Sequence, residues 1–115
     1  MDNNKSVYSD YEDDEDLISP EETYHSYNDI LVNYDTLKLS NITKNVMTKF
    51  EKAKILGIRA QQIAKGAKPL VETDGMTSVE EIAKKELNHK KTPFILKRKV
   101  ADKYEYWKLE DLVIN

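Results

Sequence analysis

The chain has 115 residues, 39% of them hydrophobic and 34% charged, with three Gly, three Pro, no Cys and a formal net charge of -3. That length allows one small domain, and the lack of cysteine excludes a disulfide scaffold, a thiolate zinc site and thiol catalysis. No stretch approaches the roughly 18 to 20 uninterrupted apolar residues of a membrane helix, and Met1-Asp2-Asn3-Asn4-Lys5 lacks the apolar core of a secretion signal, so a soluble intracellular protein with no membrane contact is expected.

The net charge conceals an asymmetry. Residues 1–35 carry one Lys against eleven acids, net -10, whereas residues 36–115 carry seventeen basic residues against ten acids, net +7. The pattern is an acidic tail joined to a basic domain. Apolar residues of the tail are scattered singly or in short runs such as Ile30-Leu31-Val32, without period, and cannot offset an ordering entropy of roughly 1 to 2 kcal/mol per residue. Residues 1–42 are therefore expected to be a disordered acidic tail and linker, with 24–42 able to order against a partner. In the densest stretch, Tyr8 to Ile18, rings and aliphatics alternate with carboxylates. That suits either a solvating tail or a segment that docks in the basic groove of a transcription factor. Ser9 and Ser19 each precede an acid by three positions, as an acidophilic kinase prefers.

Residues 43–115 read as a domain. Thr48-Lys49-Phe50-Glu51 is a capping-box sequence that opens a helix. Phe50, Ala53, Leu56, Ala60, Ile63 and Ala67 recur at steps of three and four, with Ile55 and Ala64 widening the stripe, and predict its inward face. Gly66 and Pro69 end it. Pro69 to Met76 predicts a loop with an Asp74-Gly75 turn. Ser78-Val79-Glu80-Glu81 opens a second helix, with Thr77 and Glu80 as the alternative register, and Val79, Ile82, Ala83 and Leu87 inward. A strand from Phe94 to about Val100, a turn at Ala101-Asp102-Lys103 and a return strand from Tyr104 to Lys108 form a hairpin in which Phe94, Leu96, Tyr106 or Trp107 cover the helices. Leu109 to Ile114 is apolar enough to pack. The fold class is α+β: two to three helices with a C-terminal β-hairpin. A core this thin rarely supplies more than roughly 3 to 5 kcal/mol, so completion by a partner is the physical expectation.

The residues offer little chemistry. His25 and His89 are far apart and have no spaced ligand set, so no metal is expected. Paired acids at Glu80-Glu81 and Glu110-Asp111 suit helix starts better than acid/base work. No glycine-rich loop cradles a phosphate or a cofactor. No catalytic residues emerge, and the chain reads as a non-enzyme. Lys90-Lys91 and Lys97-Arg98-Lys99, with Trp107, Tyr104 and Tyr106, leave a nucleic-acid-binding alternative, in which the acidic tail is autoinhibitory.

The run Met47-Thr48-Lys49-Phe50-Glu51-Lys52-Ala53-Lys54-Ile55-Leu56-Gly57-Ile58-Arg59-Ala60-Gln61-Gln62-Ile63 is more specific than capping and amphipathicity require. It closely resembles the signature helix of the small RNA polymerase subunit called omega in bacteria, subunit K in archaea and the shared sixth subunit in eukaryotes. Pro69-Leu70-Val71-Glu72, Glu81 to Leu87, Lys91 to Arg98, Tyr104 to Trp107 and Glu110 to Ile114 match in the same order. The acidic tail looks like the eukaryotic form, and the Asn, Lys, Ile and Tyr content also suits a large DNA virus. Lys54 and Lys97 stand where the family has Arg, which changes any bidentate contact there.

The resemblance implies a non-catalytic polymerase subunit that binds the largest subunit and promotes assembly of the polymerase core, touching nucleic acid only through the complex. The implied location is the nucleus for a cellular protein, and the viral factory or virion for a viral one. By the same resemblance, Phe50, Glu51, Lys52, Leu56, Gly57, Arg59, Ala60, Gln62 and Ile63 form the partner-binding surface or directly support it. Gly57 would allow close approach of another chain. On this reading Arg59→Ala weakens capture of the largest subunit and leaves the helicity of the isolated domain nearly unchanged.

Overall fold

The computed structural model describes residues 17–21 and 24–115. They form β1 (Leu17–Ile18), α1 (Tyr24–Lys38), α2 (Lys49–Ala64), α3 (Val79–Asn88), β2 (Ile95–Val100), β3 (Lys103–Lys108) and a 3-10 turn at Leu109–Asp111. Three helices and a single sheet of order β1-β2-β3 make the fold α+β, as expected. The chain divides into two compact units. One comprises the described residues up to Asn41 with Ile95–Tyr106, the other Ile42–Phe94 with Trp107–Asn115. β2 and most of β3 thus group with the first unit, and Trp107 and Lys108 with the second.

In the first unit β1 pairs antiparallel with β2, Leu17 opposite Leu96 and Ile18 opposite Ile95. All four side chains are buried. Ser19 follows directly and is also buried, its Oγ accepting the Glu21 N–H at 3.1 Å. The rest of the acidic run, Tyr8 to Asp16, and Ser9 lie outside the described residues.

Residues 24–38, expected to be tail and linker, are helical instead. The correction has a physical reason. Tyr27, Ile30, Leu31, Tyr34 and Leu37 recur at helical spacing among the polar residues, and Tyr34 is buried at the centre of that stripe. The helix closes in turns at Leu39, Ser40 and Asn41, and the Asn41 side-chain amide donates to the Tyr106 carbonyl at 2.9 Å, fastening its end to β3.

In the second unit Thr48 caps α2 as its sequence predicts. The Thr48 hydroxyl accepts the Glu51 N–H at 3.1 Å while the Glu51 carboxylate accepts the Thr48 N–H at 2.9 Å. At the other end Ala67 N–H donates to Gln62 O and Gly66 N–H to Ile63 O, a closing motif that needs the left-handed backbone Gly66 adopts (φ 111°). The end of α3 repeats it with Lys90 in the glycine place (φ 58°): Lys91 N–H donates to Glu86 O and Lys90 N–H to Leu87 O. Lys90 is held there by its own Nζ, which donates to the carbonyls of Glu110 and Leu112.

Ser78 caps α3, accepting the Glu81 N–H at 3.2 Å, so the first of the two candidate registers is the one adopted. The Glu81 carboxylate reaches back one residue further, to the Thr77 N–H at 2.9 Å, and that donor holds its pKa below the ordinary 4.5. A carboxyl whose pKa is depressed on folding stabilises above its unfolded value, and the stabilisation is lost as pH falls through the folded one. Helicity of the full chain followed through an acid titration should therefore fall below pH 4.5 with a component that Glu81→Gln removes. An unchanged acid limb in that variant would show that the cap does not titrate.

The last residues are stitched to the start of the unit. Val46 and Val113 form a parallel bridge, Met47 N–H donating to Val113 O at 2.9 Å and Val113 N–H to Asn45 O at 2.7 Å. Trp107 Nε1–H donates to Thr43 Oγ1 at 3.3 Å, and the Lys52 ammonium reaches the Asn115 carbonyl at 3.2 Å.

Candidate functional site

The inner face of α2 is not the expected stripe. Ile55, Arg59, Ala60 and Gln62 are the buried residues of this helix, so positions 55, 59 and 62, at steps of four and three, point inward. Phe50, Ala53, Gly57, Gln61 and Ala64, at steps of three, four, four and three, are all exposed, Phe50 at 81%. Much of the apolar stripe that periodicity assigns to the core therefore faces outward. The reason is a charged side chain with a stronger claim on the interior.

That side chain is Arg59, 1% exposed, paired with Glu86 of α3, 0% exposed. Arg59 Nε donates to Glu86 Oε1 at 2.6 Å and Nη2 to Oε2 at 3.0 Å, the two-pronged geometry that suits a guanidinium and a carboxylate. Arg59 Nη1 donates to Gln62 Oε1 at 3.1 Å and Nη2 to the Lys68 carbonyl at 3.1 Å, while Glu86 also accepts the Leu70 N–H at 2.8 Å. Two helices and the loop between them share one cluster. Desolvating two ions costs several kcal/mol each, so the pair is tolerated because nearly every donor and acceptor has a partner, and its net contribution is small. What it confers is position: Lys68 to Leu70 are tied to both helices.

On the outside, α2 and α3 leave a groove of about 450 Å3 lined by Leu56, Gly57, Ala60, Gln61, Ala64, Val79, Glu80 and Lys84. Its walls are chiefly apolar. Gly57 sits in this groove, and a Cβ placed there would meet nothing within 4 Å, so no contact inside the chain calls for glycine.

The nine residues singled out in the sequence separate accordingly. Leu56, Gly57 and Ala60 meet in the groove, and Phe50 stands exposed at the same helix's first turn. Arg59 and Gln62 belong to the buried cluster, Glu51 to the cap, and Lys52 to the C-terminal stitch. Ile63 is half-buried. Arg59 and Gln62 are hydrogen-bonded within the buried cluster around Glu86, so on this geometry Arg59→Ala is expected to unsettle the isolated domain as well. Glu86 itself is missing from the sequence-derived set. Its spacing from Ala83 and Leu87 puts it on the inward face of α3, and a carboxylate there is the signal that an internal cation must answer it.

Among the described residues no group of His, Asp and Glu converges as a metal site, and no helix is long and apolar enough to cross a membrane.

A sequence profile of the family described as RNA polymerase Rpb6 matches residues 41–94, which contain α2, the tied loop and α3. The chain is 36% identical over 111 residues to the Dictyostelium discoideum protein named DNA-directed RNA polymerases I, II, and III subunit rpabc2, covering 88% of this chain and 84% of that one. The chain belongs to the RNA polymerase Rpb6 family. It is also 47% identical over 73 residues to a Caenorhabditis briggsae protein named probable DNA-directed RNA polymerases I, II, and III subunit RPABC2, covering 63% of this chain and 53% of that protein. Against Arabidopsis thaliana DNA-directed RNA polymerases II and V subunit 6B the identity is 45% over 74 residues, 64% of this chain and 51% of the relative. This Rpb6-family chain spans about half the length of the nematode and plant relatives. The buried cluster and the groove lie within the profile-matched residues.

Proposed function

We propose that this chain is a non-catalytic subunit of a multisubunit DNA-directed RNA polymerase, and that the outward face of α2 with its groove binds the largest subunit and promotes assembly of the core. Family membership supports the polymerase, and one structural observation carries the surface. α2 turns Phe50, Ala53 and Gly57 to solvent while spending its inner face on a buried ion pair, an arrangement that leaves apolar surface and a glycine without internal purpose. A glycine in a helix interior costs up to about 1 kcal/mol relative to alanine, so it is retained where a backbone must approach closely. For a cellular polymerase of this family the place of work is the nucleus; for a viral one it follows the viral enzyme.

The test is affinity purification of the tagged full chain from cells that produce it, at moderate salt and after nuclease treatment. The two largest polymerase subunits are expected in equal amount with the chain. Recovery of the chain alone, or with nucleic acid that nuclease removes, would transfer the assignment to a free-standing basic domain that binds nucleic acid.

A further inference from the structure

Ser19 follows β1 as the third buried residue in a row and is 4% exposed. Its Oγ accepts the Glu21 N–H at 3.1 Å, which folds the chain into a turn around Pro20. As linear sequence, Ser19-Pro20-Glu21 is a phospho-acceptor pattern: a hydroxyl, then a proline that offers no N–H, then an acid. A kinase binds its target as extended chain, with the hydroxyl laid against the γ-phosphate of a nucleoside triphosphate. Burial and the turn withhold Ser19 from that geometry, so the hydroxyl is reached only when β1 leaves the sheet. That departure is a small step. Two residue pairs hold β1, Leu17 with Leu96 and Ile18 with Ile95, and so short a strand opens locally without global unfolding. α1 keeps its own tether, the Asn41 amide on the Tyr106 carbonyl.

We propose that Ser19 is a phosphorylation site gated by β1, and that the phosphate, once added, keeps β1 out of the sheet. In the transfer Ser19 Oγ bonds to the γ-phosphorus of a nucleoside triphosphate. The bond from that phosphorus to the oxygen bridging it to the β-phosphate breaks, the nucleoside diphosphate leaves, and the hydroxyl proton passes to the kinase's base. The product carries about 1.5 to 2 negative charges at neutral pH. Desolvation opposes returning such a group to a place where a neutral hydroxyl is 4% exposed, and the Glu21 carboxylate two residues on adds repulsion. The consequence is reach. With β1 paired, the chain is fixed to the sheet from Leu17 onward; with β1 released, the first fixed element is α1, and residues 17–23 add at most about 25 Å of span. The gate does not depend on which partner α2 takes.

The test treats the full chain with a proline-directed kinase and magnesium ATP, and maps incorporation to Ser19 by fragment mass. Leu17→Ala and Ile18→Ala each weaken one pair and leave the acceptor pattern intact, so each should raise the initial rate at Ser19 by roughly fivefold or more. Equal rates in the parent and both variants, or no incorporation at Ser19 in any of them, would overturn the proposal. A second arm needs neither kinase nor loosened variant. In the full chain with phosphoserine encoded in place of Ser19, amide exchange over Leu17 to Ser19 and at Ile95 and Leu96 should be at least roughly tenfold faster than in Ser19→Ala, while α2 and α3 keep their protection. Equal exchange in the two chains would show that the phosphate does not release β1 and would overturn the proposal as well.

Discussion

Arg59→Ala in the isolated chain is expected to cost about 3 to 5 kcal/mol, enough to abolish cooperative unfolding of a domain this small, because the substitution leaves the Glu86 carboxylate buried without its cation. Glu86→Ala should cost as much, and it also strips the Leu70 N–H of its acceptor. Thermal denaturation followed by circular dichroism reads both. The informative variant is the double one. If the cluster serves position rather than net stability, Arg59→Met with Glu86→Leu should recover most of the loss in a double-mutant comparison, while amide exchange around Lys68 to Leu70 speeds up because the loop has lost both tethers. A double variant as unstable as either single one would mean that the apolar pair cannot fill the site and that the ion pair itself stabilises the domain. Loss of polymerase binding in any of these variants would say nothing about direct contact by Arg59, since Arg59 acts from inside.

Gly57→Ala separates folding from binding in the opposite sense. The added methyl meets open space within the chain and removes a glycine from a helix interior, so the isolated domain should gain about 0.5 to 1 kcal/mol. If a partner backbone packs into the groove, the same methyl should weaken its capture, and Gly57→Leu should weaken it further by filling the groove at the Leu56–Ala60 level. A rise in melting temperature accompanied by reduced co-purification of the largest subunit is the expected pair of results. Stabilisation with undiminished co-purification would remove the groove from the interface and move attention to Phe50. Phe50→Ala is the natural companion: the ring is 81% exposed, so its loss should leave the melting temperature nearly unchanged.

Both α2 and α3 are legible in the sequence because their signals are local. A capping Thr or Ser, a Glu three residues on and a closing Gly66 act through the first and last turns, where nothing distant competes. Which face of α2 turns inward is not local. Periodicity ranks residues by hydrophobicity, and on that scale Phe50 outranks Arg59. The ranking reverses only because a carboxylate 27 positions later enters the same interior. α1 escapes for another reason: its stripe of tyrosines and aliphatics lies within a strongly acidic composition, and net charge over a long window masks a period that only a short window shows. β1 is two residues long and is defined by its partner strand rather than by itself. The groove was present in the sequence only as Gly57, a residue whose meaning depends on the empty space beside it.

The stitching of the last residues onto the first turn of α2 has a kinetic side. Thr43 and Trp107 are 64 positions apart and Lys52 and Asn115 are 63 apart, so the second unit closes long loops through contacts made by residues synthesised well after α2. Chain-closure entropy must be met before those contacts return anything, which slows folding relative to a domain of local contacts. During synthesis, α2 emerges long before Trp107 and the Val113 carbonyl that complete its surroundings. The growing chain therefore displays the α2 face while its support is missing, and stable presentation of that face waits for the strand pairing at Val113.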